Sequence, residues 1–199
     1  MTDPVTLFFH FRSPYSWLAV ERLVRDPLPI HGIPAIGIPE SLAVRGKDTP
    51  NAPRLAYIIE DVARIAGRLD LPVQLPQAFD TDWIRPSAAF WRAQDQGHGF
   101  AFMAALFRRR FGHGADLGDP AVIEEAGRSV GLDGAVLAAA MDDPAAQDAV
   151  TAQARLFQEN GVCGVPFFVA GRQKFWGQDR LPALRYALGL AQVKGDFDP

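Results

Sequence analysis

The sequence holds one cysteine, Cys163, in 199 residues. That excludes an intrachain disulfide and any C-x-x-C redox motif. The four histidines, His10, His31, His98 and His113, are scattered without metal-ligand spacing, so no metal site is expected. Arg108-Arg109-Arg110 is the one basic tract, and the net charge is −3. Nucleic acid is therefore not expected as a partner. The triplet lies in a helical pattern and reads as a solvated face. No apolar run is long enough to span a bilayer. Met1-Thr2-Asp3-Pro4 offers neither a basic n-region nor a small-residue cleavage site, so no signal peptide is expected. A cytoplasmic protein with no membrane partner is the natural expectation.

What is present supports a substantial core. At 48% hydrophobic, the chain can form one large domain or one domain carrying an insertion. The organising stretch is Phe8-Phe9-His10-Phe11-Arg12-Ser13-Pro14-Tyr15-Ser16-Trp17-Leu18. Leu7 to Phe11 reads as a buried strand, and apolar residues return at helical spacing from Trp17 to Val24. Pro14 suits the first helical turn, where its missing N–H would have no partner. Ser13 then falls at the N-cap. A hydroxyl there faces free N–H groups and the positive end of the helix dipole, a place to hold an anion such as a thiolate. Helix capping alone would also account for Ser13.

The remaining chain alternates in character. A strand over 4–11 and a helix over 14–26 are followed by a short strand between Leu28 and Pro39, which Pro34 restricts to an edge or bulge. Residues 45–53 read as a loop. Helical spacing predicts a helix from Arg54 to Leu69, and others near 84–96, 99–111, 119–131, 133–141 and 144–159. Asp119-Pro120 and Asp143-Pro144 each read as an N-cap with Pro at N1. Strands return at Phe167–Val169 and Gln173–Phe175, and a last helix runs from Gln178 to Leu190. His10 reads as a satisfied core histidine and Cys163 as a small buried hydrophobe.

A second stretch, Gly161-Val162-Cys163-Gly164-Val165-Pro166-Phe167-Phe168, precedes Phe175-Trp176-Gly177-Gln178-Asp179-Arg180-Leu181. With Ser13-Pro14-Tyr15-Ser16, these segments resemble the thioredoxin-fold proteins of DsbA type. More narrowly, they resemble the 2-hydroxychromene-2-carboxylate isomerases and the related kappa-class glutathione transferases. In that family S-P-x-S stands where redox relatives carry C-x-x-C. A G-V-x-G-V-P-x-F segment carries a cis-proline, and F-W-G-x-D-R-L opens the last helix. The resemblance implies an α/β thioredoxin-like fold with a large all-helical insertion. The thioredoxin-like part would comprise 1–45 and 160–199, and the insertion 46–159.

The resemblance also implies glutathione as cofactor, a small aromatic substrate and a homodimer. Ser13 would stabilise the glutathione thiolate. A cis Val165-Pro166 bond would free the Val165 backbone to pair with an extended peptide. Asp179 would accept from a γ-glutamyl ammonium, although a helix N-terminal acid explains it too. Arg180 is either a surface charge or a carboxylate contact. Arg54 matches a position usually occupied by lysine in the family and could bind a carboxylate, or it is a solvated arginine in the first turn of its helix. Either Tyr15 or Trp17 could flank a flat aromatic substrate, although a tryptophan at the Trp17 position is more often a core residue. The sequence departs from the family at Lys47-Asp48-Thr49, where an asparagine is expected, and at Phe79-Asp80-Thr81-Asp82. The implied activity is a glutathione-dependent cis-trans isomerisation. A kappa-like transferase or peroxidase, or a non-catalytic binding module, are the alternatives.

Overall fold

The computed structural model describes residues 4–37, 52–76 and 79–190. Strand β1, Val5–Phe9, is the centre of the molecule. Leu7, Phe8 and Phe9 are wholly inaccessible to solvent. Their unbroken apolar run predicts a strand covered on both faces, and both faces are covered. Phe9 meets Phe90 and Phe107 on one side, and Phe8 meets Phe157 and Phe167 on the other.

Helix α1, Pro14–Arg25, crosses over to β2, Ile30–Pro34, which lies parallel to β1. Strands β3, Phe167–Ala170, and β4, Gln173–Trp176, complete a sheet of order β2-β1-β3-β4, each antiparallel to its predecessor in space. Pro34 sits on the edge strand, as its lack of a donor requires. Gly32 on that strand passes so close to Phe90 that an added Cβ would come within 2.8 Å of its ring. The Gln94 side chain bonds both the N–H (2.9 Å) and the C=O (3.0 Å) of Gly32, which covers part of the open sheet edge.

Between β2 and β3 the described chain is helical. It runs through α2 (Ala52–Arg68), α3 (Ile84–Asp95), α4 (Gly99–Phe107), α5 (Pro120–Ser129) and α6 (Gly134–Ala140) to α7 (Pro144–Ala152) and α8 (Ala154–Glu159). Asp119 and Asp143 cap α5 and α7 through their side chains, as their place before proline predicts. Helices α1 to α6 share one core with the sheet, from Leu7 and Phe9 through Phe90, Met103 and Phe107 to Leu137, and Phe8, Ile33 and Phe167 form a second, smaller cluster with Leu156 and Phe157 of α8. Among the described residues no helix is long and apolar enough to cross a membrane.

Five expectations are corrected. The helix over 144–159 is two helices: at Gln153 the chain tightens to a bond from its N–H to the Val150 carbonyl, and α8 restarts beyond it. The helix over 99–111 becomes a π-helical turn at Arg108–Gly112. This wider turn breaks the 100° spacing on which the sequence reading depends. Arg110 is consequently buried completely rather than solvated, and Arg108 pairs with Glu21. The last helix begins as a 3-10 turn, Gln178–Arg180, and continues as α9, Leu181–Ala187. Cys163 is exposed rather than buried, because it lies in the open turn before β3.

Candidate active site

The register of the sheet brings two loops together. Phe8 of β1 pairs with Phe167 of β3, so Pro166 lies at the sheet end where β1 runs out into His10–Ser13. The Val165-Pro166 bond is cis. The Pro166 carbonyl accepts from the Gly177 N–H (2.9 Å), which ties this loop to the turn carrying Asp179 and Arg180. Among the described residues, neither the N–H nor the C=O of Val165 has a protein partner. An extended peptide could pair with both.

Ser13 caps α1. Its Oγ accepts from the Ser16 N–H at 3.2 Å, and its carbonyl accepts from the Trp17 N–H at 3.2 Å. The capping bond uses an oxygen lone pair, so the hydroxyl proton remains available to donate. The helix begins with Pro14 and has no acidic residue in its first turn. Nothing in that turn offsets the positive end of the dipole. This is a suitable place for an anion.

Tyr15 points toward α2. Its hydroxyl donates to Asp61 at 2.8 Å, and Asp61 is also held by Arg64 at 2.8 Å. Partial burial and the neighbouring carboxylate push the phenol above its ordinary range. The Arg54 charge, on the exposed face of α2, acts in the opposite direction on the same phenol. Arg54 therefore does lie on the Tyr15 side of the molecule. Trp17 does not reach the site: it is 1% exposed and stacks on Phe111 at 5.4 Å. Helical spacing gave its period but not its face, and the inward face claims it for the core. Asp179 and Arg180 pair with each other at 3.5 Å, both more than half exposed. The Arg22 guanidinium of α1 also feels the Asp179 charge. Lys47–Thr49 lies outside the described residues.

Beside Ser13 is a group of residues that sequence reasoning did not connect. The His10 carbonyl accepts from the Ser13 N–H (2.9 Å), and His10 Nδ1 accepts from the Arg12 N–H (3.0 Å). The His10 ring meets Trp83 edge-on at 5.1 Å. The Arg110 guanidinium lies over Trp83 at 4.7 Å and donates to the Phe79 carbonyl. Arg12 lies over the Phe79 ring at 4.7 Å and pairs with Asp80 at 2.5 Å. Burial, then the charges of Arg12 and Arg110, lower the His10 pKa to about 4, against a smaller opposing effect of Asp80. The one signal in the sequence was the altered Phe79–Asp82 segment. Among the described residues, no group of His, Cys, Asp and Glu could hold a metal.

Known proteins share this fold and much of this sequence. The pattern of the DsbA-like thioredoxin domain matches residues 4–189. A 2-hydroxychromene-2-carboxylate isomerase of Sphingobium xenophagum is 32% identical over 193 residues, covering 92% of this chain and 97% of its own. One from Pseudomonas sp. (strain C18) is 26% identical over 96% of this chain and 93% of its own. A solved 2-hydroxychromene-2-carboxylate isomerase superimposes with a TM-score of 0.78 at 24% identity, covering 93% of this chain and 94% of its own. The chain belongs to the DsbA-like thioredoxin domain family and, within it, to the 2-hydroxychromene-2-carboxylate isomerase family, and it is an isomerase.

Proposed function

We propose that this isomerase uses glutathione and acts on a conjugated aromatic carboxylate of the kind its relatives' names describe. The observation that carries the reading is Ser13, a hydroxyl with a proton to donate at an α-helix N-terminus that has no acid in its first turn. When bound, glutathione would supply a thiolate able to add reversibly to a conjugated carbon, so that rotation can occur about what is then a single bond.

The protein residues fit that group. Serine is too weak an acid to be the base, but its O–H can donate to a thiolate. An ordinary thiol has a pKa of about 8.5, and a donor plus a helix N-terminus both favour its charged form. The Val165 N–H and C=O would pair with the cofactor's backbone. Asp179 and Arg180 would receive the ammonium and carboxylate of a γ-glutamyl end, exchanging their mutual pair for contacts to the ligand. Arg54 would meet a carboxylate from the α2 side. Tyr15, held by Asp61, would border the substrate as a neutral phenol throughout the neutral range. We further assign the protein to the cytoplasm, where thiols stay reduced, and expect a homodimer.

The test is calorimetric titration of glutathione into the protein, with absorbance near the thiolate band followed in parallel. Binding with a thiolate signal at neutral pH is expected, and glutathione should be fully recovered after turnover. Absence of binding would remove glutathione from this reading. Stoichiometric loss of glutathione would make the enzyme a transferase.

A further inference from the structure

Four nitrogen atoms in the group built around His10, whose carbonyl accepts from the Ser13 N–H, have no partner among the described residues: His10 Nε2, Trp83 Nε1, and Arg110 Nε and Nη1. The three residues are between 0% and 6% exposed, so water at the surface does not satisfy them. All four atoms are donors. Indole and guanidinium nitrogens can only donate. His10 Nδ1 accepts from the Arg12 N–H, so a neutral imidazole must carry its proton on Nε2. The three side chains gather on one indole, with His10 at its edge and Arg110 over its face.

The charge balance points the same way. Arg110 makes no ion pair among the described residues, and its single hydrogen bond goes to a neutral carbonyl. The charges of Asp116 and Asp80 both reach Arg110, but neither pairs with it: Asp116 accepts from the Gly118 N–H and Asp80 is engaged by Arg12. A buried cation surrounded by unpaired donors matches a ligand that is negative and only accepts. A carboxylate meets both conditions, and a guanidinium binds it through two parallel bonds. Burial lowers the Arg110 pKa only to about 10, so the cation persists at neutral pH. Arg12 and Asp80, whose charges both act on His10, are 14% and 41% exposed and so are more open to solvent than the three cluster residues.

We infer that Arg110, Trp83 and His10 form a carboxylate-binding subsite for the substrate, reached past the Arg12–Asp80 pair and adjoining Ser13. This deepens the proposed function and rests on it for the identity of the substrate. The subsite itself can be tested without glutathione.

Benzoate, benzamide and inorganic phosphate would be titrated by calorimetry into the full chain and into Arg110→Lys, Arg110→Met and Trp83→Phe. Melting curves would be recorded for each. Trp83→Phe keeps an aromatic ring and removes one donor, and Arg110→Lys keeps the charge and loses the fork. Benzoate should bind the parent about tenfold or more tighter than benzamide or phosphate, and each folded variant should lose about tenfold or more of that affinity. Equal binding of benzamide or phosphate would overturn the assignment, as would unchanged benzoate affinity in Trp83→Phe and Arg110→Lys. Glutathione titrated into the parent reads the other hypothesis separately. Benzoate binding that depends on Arg110, without glutathione binding, would keep the subsite and remove the cofactor.

Discussion

At the scale of single residues, Ser13 has two duties that substitution can separate. As an N-cap it satisfies the Ser16 N–H. As a donor it would stabilise a thiolate. Ser13→Ala removes both, so it should cost about 1 kcal/mol of stability and lower glutathione-dependent turnover by roughly a hundredfold. Ser13→Asp is the sharper variant. Aspartate caps as well as serine, so the melting temperature should hold. Its negative charge opposes a thiolate, so the thiolate absorbance should disappear at neutral pH. Retention of that absorbance in Ser13→Asp would mean that the hydroxyl is only a cap. His10 gives a second residue-scale outcome. Its pKa falls from 6.5 to about 4 on folding. Below pH 6.5 the unfolded chain takes up a proton that the folded chain refuses, so stability is full above that pH and declines toward pH 4. The decline attributable to this group is about 3 kcal/mol. Denaturant titrations of the parent should show it, and His10→Gln should flatten that part of the acid limb. An equal acid limb in both proteins would refute the burial argument.

At the scale of elements, the π turn at Arg108–Gly112 sets the wall opposite α1. Arg108 grips Glu21 of α1 through two bonds, 2.7 and 2.9 Å, and Glu21 is 3% exposed on its side chain. Arg108 is half-exposed, so the pair itself adds modest stability. Losing only the arginine strands a buried carboxylate, and that is expensive. Arg108→Met should therefore cost about 2–3 kcal/mol in urea unfolding, and Glu21→Leu added to it should restore most of the loss. Additive losses would show that the two groups are not coupled. This turn also shows where local reading stops. Caps such as Ser13, Asp119 and Asp143 are legible because donor and acceptor lie within three residues. A π turn has no such marker, and it alone decides that Arg110 points inward. Trp17 shows a related limit: a helical period does not say which of two apolar neighbours owns the face, and of its two readings the core one holds.

At the scale of the molecule, the candidate site draws on distant parts of the chain. Ser13 and His10 follow β1, Arg54 and Asp61 lie on α2, Trp83 precedes α3, Arg110 follows α4, and Val165 and Asp179 flank β3 and β4. The topology was legible because each strand announces itself locally and the S-P-x-S, G-V-P and W-G-x-D-R segments mark its joints. The long-range pairs were not: Tyr15–Asp61 spans 46 positions and Arg12–Asp80 spans 68, and neither leaves a local pattern. A site of this kind couples binding to global stability. The larger core joins β1, α1 to α6 and α9, so a ligand that bridges these segments opposes their unfolding together. Glutathione at about a hundred times its Kd should add about 2.7 kcal/mol. For a chain of this size that is a rise of roughly 5–10 °C in Tm. Benzoate, if it occupies the Arg110 subsite, should raise Tm further when both are present, because the two ligands would touch different residues. Ser13→Asp should lose the first increment and keep the second, and Trp83→Phe should do the reverse. If either variant lost both increments, the two ligands would share one subsite, and the assignment of the carboxylate to Arg110 and Trp83 in addition to a thiolate at Ser13 would be wrong.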